Sequence, residues 1–305
     1  MALGLHRQVQ SLATDGTILE ANVIRFTPNP TTAGSTLTSS NVAKIRTPIN
    51  AFGGDAAKTD IMLSFWVYPR AMTSDASSTI HTIYHCWNEQ DQIDLGDNFM
   101  YFCRITGQKL HFKFFRRELE HSVDTITYGQ WNHIMVSANL SANDISASGG
   151  THRDDKFHLV VNGTIYNYYI SGGTLTNDFG SDYTIGNSDS LLSSDNTQPF
   201  TWGAESTTAD MSGGSAPGNY INYYNGELFQ FYMDNEYYDL TQASERVKFY
   251  DSGSHIPYEG LPTGSSDPAP LVKITEDGVF NRGSNTNINT SLARTNVAVS
   301  ALSKP

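Results

Sequence analysis

The chain has 305 residues, of which 38% are hydrophobic and only 16% charged, with 25 glycines, 11% aromatics and a formal net charge of -12. That charge would repel a phosphate backbone, which argues against nucleic acid as a partner. Apolar stretches stay short of the roughly 18 residues a membrane-spanning helix needs, and two cysteines are far too few for a disulfide-stapled scaffold.

The first segment, "MALGLHRQVQSLATDG", has no clear period and lacks the basic-then-apolar pattern of a secretory signal. Residues 1–16 are therefore expected to be an N-terminal arm, and 17–305 a single domain made in a cytoplasm. "TILEANVIRF" reads as a strand, followed by the turn-rich "TPNPTTAGSTLTSS". In "TDIMLSFWVYPR", Ile61, Leu63, Phe65 and Val67 share one face while Met62, Trp66 and Tyr68 share the other. Apolar residues on both faces predict a central strand covered on both sides.

Further strands are predicted near 79–87, 99–105 and 109–115, the last alternating Leu110, Phe112 and Phe114 against His111 and Lys113. Cys86 and Cys103 fall in neighbouring runs, which leaves a cross-strand disulfide and two buried thiols both open. "YGQWNHIMVSANLS" gives another strand, and Asn162-Gly163 in "KFHLVVNGTIYNYY" predicts a two-residue hairpin. Residues 171–222 read as long polar excursions around short strands such as "PFTWGA". In "GELFQFYMD", strict alternation would put Leu228, Gln230 and Tyr232 on one face and Phe229, Phe231 and Met233 on the other. A helix is expected over 241–250, capped by Thr241, docked through Ala243, Val247 and Tyr250, and ending at Gly253. The tail combines a Pro and Gly linker with two strand-like runs. Many short strands, polar turns and one small helix define an all-β sandwich.

Taken in order, "DIMLSFWVYPR", "GQWNHIMVSANLS", "FHLVVNGTIY", "DYTIGNS" and "YNGELFQFYMDNEYYDLTQASERVKFYDSG" resemble the laminin-G-like branch of the concanavalin A-like jelly rolls. The resemblance covers roughly residues 35–255 and implies a jelly-roll β-sandwich of two antiparallel sheets, with Trp66 and Trp131 in its core. The linker "GLPTGSSDPAPLV" after the helix is similar to laminin-G-like proteins of tailed bacteriophages. It implies a virion structural protein, capsid decoration or tail component, with other virion proteins and further copies of itself as partners. The alternative is a carbohydrate-binding adhesin that touches a host surface glycan.

Catalytic patterns are weak. Glu227 and Asp234 are seven residues apart, roughly 23 Å along an extended strand and on opposite faces, too far for a glycosidase pair. Glu118 and Glu120, beside His121, share a face and read either as an acid–base pair or as a charged hairpin end. Asp234 and Glu236 straddle a turn. His81 and His85 share a strand face but lack a third ligand. Asp91, Asp94 and Asp97 in "DQIDLGDN" are the candidate calcium donors, set against a loop of ordinary turn formers. Trp202 is the candidate ligand-binding residue, either a sugar platform or a buried anchor for its loop. No enzyme activity and no required cofactor are expected.

Overall fold

The computed structural model describes residues 20–27, 37–38, 43–46, 60–71, 80–87, 100–114, 117–120, 125–139, 157–166, 201–206, 219–234, 236–251, 256–257, 272–275, 278–281, 293–295 and 297–303. Among them, strands dominate and every pairing is antiparallel. Numbered in chain order, the larger sheet places side by side Thr164–Tyr166 (β11), Phe157–Val161 (β10), Asn132–Asn139 (β9), Asp60–Pro69 (β4), Gly226–Asp234 (β15), Glu20–Phe26 (β1) and Val297–Ser303 (β21). Val272–Thr275 (β18) adds to β15, and Gly278–Asn281 (β19) to β18. The second sheet runs through Ala293–Thr295 (β20), Lys44–Arg46 (β3), Thr201–Trp202 (β12), Ile80–Trp87 (β5), Met100–Thr106 (β6), Lys109–Phe114 (β7) and Arg117–Glu120 (β8). A small sheet joins Glu205–Ser206 (β13), Asn219–Ile221 (β14) and Leu37–Thr38 (β2), and Tyr250–Asp251 (β16) pairs with Ile256–Pro257 (β17). The molecule is a jelly-roll β-sandwich.

The period-2 pattern of β4 is realised as expected. Ile61, Leu63, Phe65 and Val67 enter the core between the two sheets, together with Ile134, Val136, Ile105, Phe112 and Trp202. Met62 and Trp66 enter a second cluster on the outer face of the larger sheet, with Met135, Val160, Phe229, Tyr232, Tyr238, Leu240 and Phe249. β4 is thus central and covered on both sides, flanked by β9 and β15. The Asn162-Gly163 hairpin between β10 and β11 also forms, with φ of 51° and 77°, both positive as its two-residue turn demands.

β15 departs from strict alternation. Leu228 pairs with Val67 and Phe229 with Trp66, but Tyr232 pairs with Ser64, so one residue too many lies between them. Gln230, at φ 50°, is the inserted residue of a β-bulge. The bulge resets the phase: Leu228, Phe231 and Met233 face the inter-sheet core, while Phe229 and Tyr232 face outward. It also divides the strand's other edge, with β1 alongside Gly226 to Leu228 and β18 alongside Phe231 to Met233. Glu227 and Asp234, expected on opposite faces, consequently share the outer one.

A second bulge lies in β5, where Thr82 pairs with Arg104 and Tyr84 with Cys103, leaving Ile83 extra. The amide of Thr82 donates to Asn222 O at 2.8 Å and Gly203 N donates to Ile83 O at 3.0 Å, so the irregular backbone stays bonded. The register sets Tyr84 opposite Cys103 and Cys86 opposite Tyr101. Cys103 is a free, buried thiol, which settles the disulfide alternative against a Cys86–Cys103 bridge.

The expected 241–250 helix is shorter, Ala243–Arg246 (α1), and buries none of its own residues. Thr241 does not cap it. Instead Asp239 accepts hydrogen bonds from the Thr241 amide and hydroxyl, and the N-cap position is Gln242. The anchors are Leu240 and Phe249 on either side, with Tyr238, while Ala243 is exposed and Val247 half-buried. At about 2 kcal/mol for each buried apolar side chain, these anchors outweigh what one helical turn contributes. The tail supplies four short strands rather than two, and β21 pairs with β1 from Glu20↔Ser303 to Phe26↔Val297.

Candidate functional site

The segment 236–249 covers the outer face of the larger sheet over Met62, Met135, Val160 and Tyr232. Toward the end of β4 the same face carries Arg25 on β1, Glu227 on β15 and Tyr68 on β4, in register across the sheet. Trp131, just before β9, continues the row beside Tyr68, their ring centroids 5.6 Å apart and edge to face. Both rings are only half-buried. Beneath them, Trp66 stacks on His133 at 4.3 Å, and Phe229 meets the Trp131 edge at 6.4 Å.

The local chain explains the placement of Trp131. Asn132, buried, accepts from the Thr127 amide at 3.0 Å and donates to the carbonyls of Thr127 and Gln130, each at 2.9 Å. Gly129 N donates to Pro69 O at 2.8 Å, hooking the 127–130 turn onto the end of β4. The turn therefore delivers Trp131 next to Tyr68 with little freedom.

Charge in the row is concentrated on Glu227, whose side chain is 1% exposed. Its Oε1 accepts from Arg25 Nη1 at 2.7 Å and from Arg70 Nη2 at 2.8 Å, and Arg70 Nε lies 3.0 Å from both carboxylate oxygens. This hydrogen bonding raises the Arg70 pKa further, so the guanidinium is permanently charged. Arg70 also lies over the Tyr68 ring, 4.9 Å from its centroid. Asn225 fixes the backbone there: it donates to Ala71 O at 3.2 Å and its carbonyl accepts from Arg70 N at 2.8 Å. The row can offer aromatic surface and guanidinium donors side by side on one sheet.

Two other polar clusters hold elements together. Arg104 Nη2 and Asn222 Nδ2 donate to Glu205 Oε2 at 2.7 and 2.8 Å, tying β13 and β14 to β6. His158 Nε2 lies 2.6 Å from the Tyr237 hydroxyl and 3.6 Å from Asp239, while Tyr238 N donates to Ser137 Oγ at 2.8 Å, which docks the 236–249 segment. Tyr232 donates to buried Asp234 at 3.2 Å, and burial together with that carboxylate keeps its phenol protonated.

The residues singled out by sequence fall elsewhere. Trp202 is fully buried in β12, edge-on to Phe231 at 5.6 Å, where it serves as the anchor and presents no face to a sugar. Asp91, Asp94, Asp97 and His121 lie outside the described residues. Glu118 and Glu120 occupy β8 at register positions opposite Lys113 and His111. His81 and His85 do not share a face. His81 pairs with Ile105 and packs near Tyr128 and Tyr224, whereas the bulge at Ile83 turns His85 to the other side, opposite Phe102. Among the described residues no cluster of three metal-ligating side chains occurs.

Sequence reasoning placed Trp131 in the core. The parity of β9 held the missing signal: Ile134 and Val136 point inward, so Trp131, His133 and Met135 belong to the outer face.

No protein-family model matches the chain, and no curated protein matches it. Among solved structures, it is similar to a putative carbohydrate binding protein from Bacteroides ovatus, at 9% identity and a TM-score of 0.40. The likeness covers 93% of this chain and 60% of that one, so the chain spans less than two thirds of its length. It is also similar to Domain 4 of AbnA, a GH43 extracellular arabinanase from Geobacillus stearothermophilus, solved in complex with arabinotriose. There the identity is 13%, the TM-score 0.30, and the coverage 72% of this chain and 84% of that one. At these TM-scores neither likeness decides what this chain does.

Proposed function

We propose that the chain is a non-catalytic glycan-binding module whose site is the Arg25–Glu227–Arg70–Tyr68–Trp131 row. The observation that carries this reading is the pair of half-buried rings, Trp131 and Tyr68, set edge to face beside a guanidinium that is itself held in place. The C–H face of a sugar packs on such a ring, and its hydroxyls accept from guanidinium N–H groups. A few oriented polar groups around aromatic surface is the general composition of a small-molecule site.

Affinity electrophoresis through gels containing a panel of neutral and acidic polysaccharides tests it. At least one polysaccharide is expected to retard the wild-type chain, with Trp131→Ala weakening retention about tenfold or more, about 1.4 kcal/mol. No retardation by any of them, or retention unchanged in Trp131→Ala, would refute the reading.

A second reading, the virion structural protein, rests on the resemblance of "GLPTGSSDPAPLV" to phage laminin-G-like tails. It concerns where the module is carried and with what oligomeric state. Saturable uptake by phage particles stripped of their own copy tests it, and failure to bind such particles would count against it.

A further inference from the structure

We infer that the sugar taken by this row carries an acidic group, a carboxylate or a sulfate, and that Arg70 is the residue that reads it. The inference rests on the glycan-binding reading of the same site. Its basis is the local charge and the valence of the guanidinium groups. Two arginines face one carboxylate, so the row has an excess of one positive charge. The cations are not equivalent. Arg25 is committed on all three nitrogens, Nε to Thr27 at 3.1 Å, Nη1 to Glu227 at 2.7 Å and Nη2 to Asn225 at 3.3 Å. Arg70 uses Nε and Nη2 on Glu227, and among the described residues its Nη1 has no hydrogen-bond partner.

Exposure separates them in the same way. The Arg70 side chain is 37% exposed and that of Arg25 20%. Arg70 is also the one packed on the aromatic surface. A sugar lying against Trp131 and Tyr68 would therefore meet the free edge of a charged, planar donor. A guanidinium meets a carboxylate or sulfate with opposite charge and two parallel N–H···O bonds, a match that a neutral hydroxyl does not offer. Glu227 is the positioning residue: it orients the fork and remains out of reach of the ligand, at 1% exposure. The chain's overall charge of -12 opposes an anionic ligand only weakly at this range, because fields from exposed charges decay within about 8 Å at physiological ionic strength.

Isothermal titration with oligogalacturonate, its carboxyl-reduced neutral counterpart and the sulfated form of that neutral oligomer decides the matter. The expected result is at least about tenfold tighter binding of an anionic oligomer than of the neutral one, with the carboxylate–sulfate order identifying the group. Arg70→Gln should reduce that ratio to near one, weakening the anionic oligomers far more than the neutral one. Arg70→Lys, which keeps the charge but loses the planar fork, should retain part of it. Neutral and anionic oligomers bound equally by the wild type, both lost in Trp131→Ala, would overturn the inference and leave the glycan-binding reading standing. An anionic preference that persists in folded Arg70→Gln would overturn the role of Arg70. Absence of binding to all three oligomers, together with no retention on the polysaccharide panel, would remove both.

Discussion

Deleting Gln230 removes the extra residue of β15 and forces a choice between two losses. If the strand keeps its register before the bulge, Phe231, Tyr232 and Met233 each turn to the opposite face. Phe231 then leaves the inter-sheet core, while Tyr232 and the buried Asp234, which follow the bulge together, turn into it and bring a carboxylate between the sheets. Phe231 and Tyr232 are both 0% exposed in the native fold. Evicting one large buried ring costs about 3–5 kcal/mol, and turning the Asp234 carboxylate toward the apolar core adds to that cost. If the register after the bulge is kept instead, Glu227 and Leu228 exchange faces, driving a carboxylate into the core and separating it from both arginines. Either loss is comparable with the roughly 5–15 kcal/mol that holds a whole domain. The deletion should therefore give insoluble or unfolded protein by circular dichroism. Gln230→Gly keeps the bulge. Relief of a left-handed conformation, about 1–2 kcal/mol, nearly offsets the added flexibility of the unfolded chain and the lost side-chain contacts, so stability should stay within about 1 kcal/mol of wild type. Gln230→Val, β-branched at φ 50°, should fall about 2 kcal/mol below wild type in urea unfolding. A deletion variant that melts near the wild-type temperature would show that the strand slides freely and that the bulge does not set the phase.

Cys103 should resist iodoacetamide at pH 8 in the native state and react only on unfolding, because burial pushes its thiol pKa well up; fast native labelling of that residue in a peptide map would contradict its burial. Gly203→Ala should destabilise by about 2 kcal/mol or more in urea unfolding, since φ is 92° and a Cβ would run into the Phe26 ring and sit 2.8 Å from Ala43 O; an unchanged midpoint would be inconsistent with that packing. The hydrogen bonds from Thr241 hold Asp239 below the usual carboxylate range, so its contribution is present at neutral pH and is lost as pH falls below about 4 toward its folded value. The stability difference between wild type and Asp239→Asn should accordingly shrink between pH 7 and pH 3; a difference that grows on acidification would reverse the sign.

Much of the scaffold was legible in the chain because β4, β7 and β10 alternate cleanly and Asn162-Gly163 names its own turn. Both bulges escaped for a physical reason. An inserted residue such as Gln230 or Ile83 carries no distinctive side chain, yet it inverts the facing of every residue after it, which is why the pairings of Glu227 with Asp234 and of His81 with His85 were read in the wrong phase. The short helix was overestimated because Leu240 and Phe249, the residues that dock its segment, lie outside the helical turn. Of the two readings open for Trp202 the buried anchor is the one realised, while Trp131, expected in the core, packs partly buried on the outer cluster of the larger sheet. The neighbourhood of Trp202 left a sugar platform and a buried anchor both open, and the pairing of β12 on both sides, with β3 and β5, carries the indole inward. The site row itself is assembled from four separate segments, Arg25, 68–70, Trp131 and Glu227, joined only by sheet register.

The most direct test of a sugar site on this row is covalent footprinting by mass spectrometry, comparing the free chain with the chain saturated by whichever polysaccharide fragment retards it. Protection should appear at Trp131, Tyr68 and Arg70, with Trp202 unlabelled in both states because it is already buried. Protection centred elsewhere, with Trp131 labelled equally in the two states, would contradict the assignment of this row as the binding site.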